Sequence, residues 1–299
     1  MRVLSPAAIY MVAHPGAFLL RVLKGFQANQ GLLLAGAVAY YALLSVVPLL
    51  ILVVIALSHW VEQAQLLATL GRYLEWVIPG QSGAIIRELA NFVAHREVVG
   101  WVLLATMLFF SSLAFTVLEK AMAVIFLHRF AIRRRHFLVS ALLPYLYILF
   151  LGMGLLVVTF VSGAIQAMGQ SSIALLGHAW SLQGISGALL YLLGLAGEIF
   201  VLTSIYMVMP VGRLSWRHAL IGGVTAALLW EGTRRVLVWY FATLSQVSVV
   251  YGSLTTAIVV LLSLELGAAL LLLGAQVISE YERIERKELA PGSGKTAGP

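Results

Sequence analysis

The sequence contains no cysteine and no aspartate, and few charged residues of any kind. Without cysteine the chain cannot form a disulfide bond or a thiolate metal site. Charged residues make up 10% of the chain, whereas a soluble domain has about 25%. Hydrophobic residues make up 61%. The composition therefore predicts an integral membrane protein and excludes an ordinary soluble domain.

Six apolar stretches are long enough to cross a bilayer as helices, because a spanning helix needs about 20 apolar residues. They cover approximately residues 31–57, 98–127, 137–161, 185–209, 216–241 and 251–278. We therefore predict an all-α protein with a six-helix membrane domain at residues 31–279. We expect an amphipathic interfacial helix within residues 1–30, and a cytoplasmic tail at residues 280–299 that is disordered at its end.

The segment from about residue 59 to 97 is mixed in charge and is predicted to form two amphipathic helices. These would cover Val61–Ile78 and Ser82–His95, separated by a turn that contains Pro79 and Gly80. We expect them to form a helical hairpin at the outer membrane surface. A second connection, residues 163–184, carries no formal charge and is predicted to be a short loop or a re-entrant turn.

The distribution of lysine and arginine predicts the orientation, because cytoplasmic loops collect these residues. Thirteen of them lie in the N-terminal segment, in the second-to-third and fourth-to-fifth turns, and in the tail. The other side has only Arg72, Arg87 and Arg96. Both termini are therefore predicted to be cytoplasmic. The net charge of +7 is explained by this topology, so we expect no nucleic-acid partner.

The first span carries a small-residue face and a proline. Gly31, Ala35 and Ala39 recur every fourth residue, which lets a neighbouring helix approach closely. Pro48 lacks an N–H and crowds the Leu44 carbonyl, so we expect a bend that faces a central cavity. The alternative is a packing helix with a tolerated proline. The candidates for the bend and the cavity are Tyr40, Tyr41, Ser45 and Pro48.

Three carboxylates lie at similar depths in different spans, and each needs a partner or a function because buried charge is costly in a membrane. They are Glu198, Glu231 and Glu265. Arg234 and Arg235 follow Glu231 by one helical turn, close enough to pair with it. One interpretation is an internal ion pair that locks the helices together. The other is a site in which arginine binds a phosphate or carboxylate, for which its forked donors are suited.

Other residue patterns give little support for catalysis or for a cofactor. Arg133, Arg134 and Arg135 are topology determinants that are also candidates for contact with anionic lipid. We find no phosphate-binding loop, no nucleophile elbow and no zinc motif. His178 lacks a second ligand in the sequence. We therefore predict no catalytic residue, no metal, no cofactor and no enzymatic activity.

Three stretches together resemble the YihY family of bacterial inner-membrane proteins, also called virulence factor BrkB or UPF0761. They are AVAYYALLSVVPLL at 37–50, YMVMPVGRLSWRHALIGGVTAALLWEGTRRVLVWYF at 206–241 and YGSLTTAIVVLLSLELGAALLLLGAQV at 251–277. The resemblance implies six spans with both ends in the cytoplasm, and a link to envelope lipid export. In the family an acidic residue is followed one helical turn later by a basic residue. In this chain the matching residues are Glu231 and either Arg234 or Arg235. The chain departs from the family at two positions. Family members often have an acidic residue where this chain has Gln276, and they often have aromatic residues near the position of Glu265.

From the residues and the resemblance we expect a transporter or exporter of an amphipathic solute in the bacterial inner membrane. The solute would be an anionic lipid or a lipid precursor, moving through a cavity between helices beside the Glu and Arg cluster. The partners would be membrane lipids, and an oligomer is possible. The alternative function is a non-transporting scaffold that recruits envelope-assembly proteins.

Overall fold

The computed structural model describes ten segments of the chain. These are residues 10–11, 13–78, 80–94, 101–126, 137–169, 172–175, 178–181, 183–210, 214–243 and 255–289. Within them the chain forms nine long helices and one pair of short strands. The helices are α1 (Pro15–Ala28), α2 (Gly31–Leu57), α3 (Gln63–Val77), α4 (Ser82–Ala94), α5 (Trp101–Ile125), α6 (Phe137–Gly169), α7 (Gln183–Val208), α8 (Trp216–Thr243) and α9 (Thr255–Leu289).

Five of these helices are long and apolar enough to cross a membrane, among the residues that the structure describes. Their spanning parts are Gly31–Leu57, Leu104–Ile125, Tyr145–Met168, Ser186–Val208 and Ala257–Arg286. The prediction of a multi-pass helical membrane protein is therefore confirmed. The exception to an all-α fold is an antiparallel pair of strands, β1 (Ser172–Leu175) and β2 (His178–Ser181). The predicted loop at 163–184 is wrong for residues 163–169, which continue α6.

Helix α2 lies at the centre of the bundle, where it contacts α5, α9, α6 and α4. Its small-residue face is buried as predicted, because Ala35 and Ala39 are both 0% exposed and Gly31 is buried as well. Small side chains let neighbouring backbones approach, and close van der Waals packing is what holds helices together in lipid. The bundle continues from α9 to α8, from α8 to α7 and from α7 to α6.

The crossing of α8 and α9 is close because two glycines meet there. A Cβ atom at Gly274 would lie 3.1 Å from the Gly222 carbonyl oxygen, so a larger residue would push the helices apart. Tyr206 of α7 fills the adjacent space, is fully buried, and donates a 2.7 Å hydrogen bond to the Leu271 carbonyl. Helices α7, α8 and α9 are thereby held together as one unit.

Helices α3 and α4 pack on each other and on the C-terminal half of α2. The apolar side chains between them include Leu74 of α3, Ile78 directly after α3, and Ile85 and Leu89 of α4. These side chains join Val54 of α2 in one buried cluster. At the connecting turn, the Glu75 carboxylate accepts hydrogen bonds from the Gly80 N–H and from the Ser82 hydroxyl. These bonds stabilise the turn because they satisfy backbone and side-chain donors at the start of α4.

Helix α1 packs on the far end of α9. Phe18 and Val22 of α1 are buried against Val277, Tyr281 and Ile284 of α9. The other apolar side chains of α1, Leu19, Leu20 and Leu23, are 46–60% exposed, as expected for a helix that also contacts lipid. Because α9 extends without a break to Leu289, the first part of the predicted tail, residues 280–289, is helical. Residues 290–299 lie outside the described part of the chain.

Candidate functional site

Helices α7 and α8 run antiparallel and place Glu198 near Glu231. Gly223 of α8 lies against Ile199 and Thr203 of α7, and further along, Tyr191 of α7 contacts Glu231 of α8. Tyr191 and Glu198 are seven residues apart, so they lie on the same face of α7. The two helices therefore enclose a row of polar side chains within an otherwise apolar layer. We call Tyr191, Glu198, Glu231, Arg234 and Arg235 the α7–α8 cluster.

Glu231 is the centre of the α7–α8 cluster. Its carboxylate accepts three hydrogen bonds of 2.9–3.2 Å from the Arg234 guanidinium and two of 3.2 Å from Arg235. The Tyr191 hydroxyl donates a further bond of 3.0 Å. Such charge-assisted, forked contacts are the strong ones among side-chain hydrogen bonds. The predicted pairing of Glu231 with both arginines is present in the structure.

The two arginines differ in exposure although they bind the same carboxylate. The Arg234 side chain is 20% exposed, and that of Arg235 is 73% exposed on the outside of the bundle. The surrounding surface of α8 is apolar, with Leu228, Val236 and Trp239 all more than 60% exposed. Arg234 therefore belongs to the interior of the cluster, whereas Arg235 lies where lipid would contact it.

Glu198 stands beside this pair without a hydrogen bond. Both of its carboxylate oxygens are buried and have no hydrogen-bond partner among the described residues. Glu198 is within electrostatic range of Glu231 and Arg234. A buried acceptor without a donor costs free energy, about 1–3 kcal/mol for a neutral group and more for a charged one. The site therefore contains an acceptor that a proton, a water molecule or a bound ligand can satisfy.

Glu265 is placed away from the other two carboxylates. Its Oε1 lies 3.8 Å from where a Cβ atom at Gly36 would stand, so it faces α2. None of the hydrogen bonds and ion pairs within the described segments joins Glu265 to Glu198 or Glu231. The sequence placed the three glutamates at a common depth, but depth alone does not determine which face of a helix each occupies. The structure brings two of them together.

The candidates on α2 have different surroundings. Ser45 is 2% exposed, donates a 2.5 Å hydrogen bond to the Phe110 carbonyl of α5 and accepts a 3.2 Å bond from the Ala114 N–H. Its hydroxyl thus lies between two backbone groups that bond to each other in a regular helix. Tyr40 is 54% exposed, and Tyr41 and Pro48 are half-buried. The predicted cavity at Pro48 stays a prediction.

The remaining predicted contacts are not placed by the structure. Arg133, Arg134 and Arg135 lie outside the described residues, so their proposed contact with anionic lipid stays a prediction. His178 is part of β2. In the described segments, no group of three or more His, Asp or Glu side chains is placed to hold a metal ion.

Sequence reasoning missed a second polar network, at the end of α9 that contacts α1. Gln276 is fully buried, and it accepts a 2.9 Å hydrogen bond from the Asn29 amide and donates a 3.2 Å bond to Glu280. Arg283 also donates to Glu280. The i, i+4 spacing of Gln276 and Glu280 was a visible signal. The role of Asn29, 247 residues away in sequence, was not, because it depends on how α1 packs on α9.

Tyr191 was missed as well, although its position seven residues before Glu198 indicates the same helix face. Tyr73 of α3 approaches the same part of α7, with its ring 4.0 Å from where a Cβ atom at Gly197 would lie. Burial raises the pKa of the Tyr73 hydroxyl, and the nearby Arg72 charge opposes that rise. Tyr73 of α3 therefore reaches α7 at the residue next to Glu198.

Together, the apolar helices and the enclosed charge cluster define a multi-pass helical membrane protein with a polar interior site. The family described as virulence factor BrkB matches residues 22–297. The chain belongs to this family, as the sequence resemblance predicted. No solved structure matches the chain.

Several curated relatives carry the name UPF0761 membrane protein. One from Aromatoleum aromaticum is 29% identical and covers 91% of this chain and 67% of the relative. One from Alkalilimnicola ehrlichii is 26% identical and covers 94% of this chain but 62% of the relative. One from Aeromonas salmonicida is 26% identical over 95% of this chain and 96% of the relative. The chain thus spans less than two thirds of the length of some relatives. The names of these relatives state no activity.

Proposed function

We propose that the chain is a transporter or exporter of an anionic amphipathic solute, with an anionic lipid or lipid precursor as the substrate class. The solute moves along the α7–α8 cluster, where its acidic group binds Arg234 and Arg235 in place of Glu231. The exposed Arg235 meets the solute at the surface of the bundle, and the more buried Arg234 holds it inside. Arginine suits this role because its donors match phosphate and carboxylate oxygens in pairs.

The observation that supports this proposal most is the Glu198 carboxylate. A purely structural ion-pair cluster would satisfy its buried members, because an unsatisfied buried acceptor only lowers stability. Within the described part of the chain, Glu198 is instead buried without a donor while Arg234 is close by and bound to Glu231. When a solute anion binds Arg234 or Arg235 in place of Glu231, the electrostatic potential at Glu198 changes. The cluster then has two arrangements, as transport requires.

We further propose that α8 is the sixth span, with both termini in the cytoplasm of the bacterial inner membrane. Helix α8 has 28 residues, which at about 1.5 Å each exceed the roughly 30 Å of the hydrocarbon layer. Arg217 lies in its first turn, and the charges in its apolar part are Glu231, Arg234 and Arg235, of which both arginines pair with the glutamate. In this orientation α3 and α4 form the hairpin on the outer side.

Reconstitution of the purified chain into vesicles tests the proposal. We expect the protein to accelerate the movement of headgroup-labelled anionic lipids, compared with protein-free vesicles and with a zwitterionic lipid of the same chain length. If movement is not accelerated for any anionic lipid or soluble precursor in a broad panel, the transport proposal fails. The scaffold function, in which the outer hairpin and the cytoplasmic end recruit envelope-assembly proteins, would then take its place.

A further inference from the structure

A polar recess lies between α3 and α6, apart from the α7–α8 cluster. Its volume is about 350 Å³, within the range of ligand pockets, about 300–1,000 Å³. The described residues that line it include Gln65, Thr69 and Arg72 of α3 and Thr159 and Gln166 of α6, with Gly163 between the last two. We call this site the α3–α6 recess. These five polar side chains lie between two helices of an apolar bundle.

Among the described residues that line the recess, Arg72 is the only charged one. It takes part in none of the ion pairs formed within the described segments, in contrast to Arg234 and Arg235, which both bind Glu231. Its side chain is exposed at the edge of the recess. A guanidinium at the mouth of a polar pocket favours an anionic group, and a phosphate or carboxylate matches its paired donors.

Two buried threonines form the floor of the recess. Thr69 and Thr159 are 1% and 0% exposed. Each hydroxyl donates to a carbonyl of its own helix, at 2.9 Å to Gln65 and 2.7 Å to Leu155. Both hydroxyls are therefore satisfied within the fold, and a ligand meets the side chains above them instead.

Gly163 allows the Gln65 amide to lie close to α6. A Cβ atom at Gly163 would stand 2.9 Å from Gln65 Nε2, a contact that would displace the amide. The primary amides of Gln65 and Gln166 each offer both donors and an acceptor. The recess thus combines one cation at its edge with two amides on its sides, above a closed floor.

We propose that the α3–α6 recess binds a polyol phosphate, that is, a phosphate ester that carries free hydroxyl groups. The phosphate pairs with Arg72, and the hydroxyls form hydrogen bonds with the amides of Gln65 and Gln166. A glycerol phosphate group has this chemistry, either as a lipid headgroup or as a free molecule. The recess is separate from the α7–α8 cluster, so the proposal holds whether or not the chain transports a solute.

The position of the recess along α6 agrees with a headgroup ligand. The spanning part of α6 begins at Tyr145, and Thr159 and Gln166 lie 14 and 21 residues farther along, at about 21 and 32 Å. The hydrocarbon layer is about 30 Å thick. The recess therefore extends from within this layer to the headgroup level, towards the end of α6 farthest from the arginine-rich turn at residues 129–135.

Two binding measurements on the full chain test the proposal and separate the two sources. Calorimetry on the protein in nanodiscs of zwitterionic lipid measures the binding of glycerol 3-phosphate, inorganic phosphate and glycerol. Native mass spectrometry measures retention of phosphatidylglycerol against phosphatidylcholine. We expect Arg72→Gln to weaken binding of glycerol 3-phosphate, or retention of phosphatidylglycerol, by about tenfold or more. Arg87→Gln, which removes an exposed arginine of α4 outside the recess, is the matched control and leaves both unchanged.

Each outcome supports or overturns the proposal. Binding of soluble glycerol 3-phosphate that depends on Arg72 supports a free ligand, and Arg72-dependent retention of phosphatidylglycerol alone supports a lipid headgroup. Gln166→Leu, which keeps a side chain of similar size but removes the amide, is expected to reduce the preference for glycerol 3-phosphate over inorganic phosphate. Equal binding of the two phosphates by the wild type overturns the polyol assignment. Equal effects of Arg72→Gln and Arg87→Gln overturn the site.

Discussion

Arg234 holds Glu231 through three hydrogen bonds of 2.9–3.2 Å within one turn of α8. The pair is mostly shielded, with 20% of the arginine side chain and 13% of the glutamate side chain exposed. Removing one partner of a shielded ion pair is costly because the other is left as an uncompensated charge. This relationship makes it possible to separate the effect of a mutation on folding from its effect on transport.

The first prediction concerns Glu231→Gln. The substitution leaves two guanidinium groups without their carboxylate, so we expect the free energy of unfolding in detergent to fall by about 1–3 kcal/mol. The double variant Glu231→Gln with Arg234→Gln removes the shielded one of these two charges, and the exposed Arg235 costs little, so we expect most of that loss to be recovered. Unfolding curves of the two variants and the wild type provide the check. A double variant that is less stable than the single one would contradict the assigned pairing.

The second prediction compares the two arginines. Both bind Glu231, but the Arg235 side chain is 73% exposed and that of Arg234 is 20% exposed. Arg234→Gln is therefore expected to lower thermal stability clearly, whereas Arg235→Gln changes it little. Thermal unfolding of the two single variants side by side provides the measurement. Equal losses would show that the exposed arginine is as important for the fold as the shielded one.

The third prediction concerns Ser45, whose hydroxyl joins α2 to α5. Ser45→Ala removes two hydrogen bonds, but the Phe110 carbonyl and the Ala114 N–H can then bond to each other within α5. We therefore expect a modest loss of stability, about 1 kcal/mol, whereas Ser45→Leu cannot fit at a site that is 2% exposed and prevents folding. Tyr40→Phe on the exposed side of α2 is the control and is expected to be neutral. A neutral Ser45→Leu would contradict the packing of α2 on α5.

The fourth prediction concerns Gln276, which is fully buried between Asn29 and Glu280. Gln276→Leu leaves the Asn29 amide and the Glu280 carboxylate each short of a partner, so we expect a loss of about 2–3 kcal/mol. The exposed Lys24→Gln on α1 lies outside this network and is expected to have no effect. Limited proteolysis of α1 offers a second measurement, because weaker contact with α9 makes α1 easier to cleave.

Much of the fold could be predicted from the sequence because long apolar stretches determine helices in a membrane. The central α2, with its buried Gly31, Ala35 and Ala39, followed from the spacing of small residues. Two features did not follow. The extension of α6 through residues 163–169 and the strand pair at 172–181 lie in an uncharged segment where neither helical nor alternating periodicity is strong. The continuation of α9 into a charged sequence is stabilised by its contact with α1.

The candidate site could be predicted in part. The pairing of Glu231 with Arg234 and Arg235 followed from their spacing on one helix. The position of Glu198 opposite this pair, and that of Glu265 facing Gly36, depend on the rotation of each helix about its own axis. Neighbouring helices determine that rotation through packing, which a single sequence does not reveal. The role of Ser45 in joining α2 to α5 was hidden for the same reason.

The most direct test of the proposed transport function is the rate of anionic lipid movement in vesicles that contain the Glu231→Gln, Arg234→Gln double variant. If Arg234 binds the solute anion, the double variant will insert and fold with near-wild-type stability but will not accelerate lipid movement. The single variant Glu265→Gln, which faces α2 away from the cluster, provides a reference for changes of charge within the bundle. Recovery of both stability and the wild-type rate in the double variant would contradict the proposal and reduce the cluster to a structural ion pair.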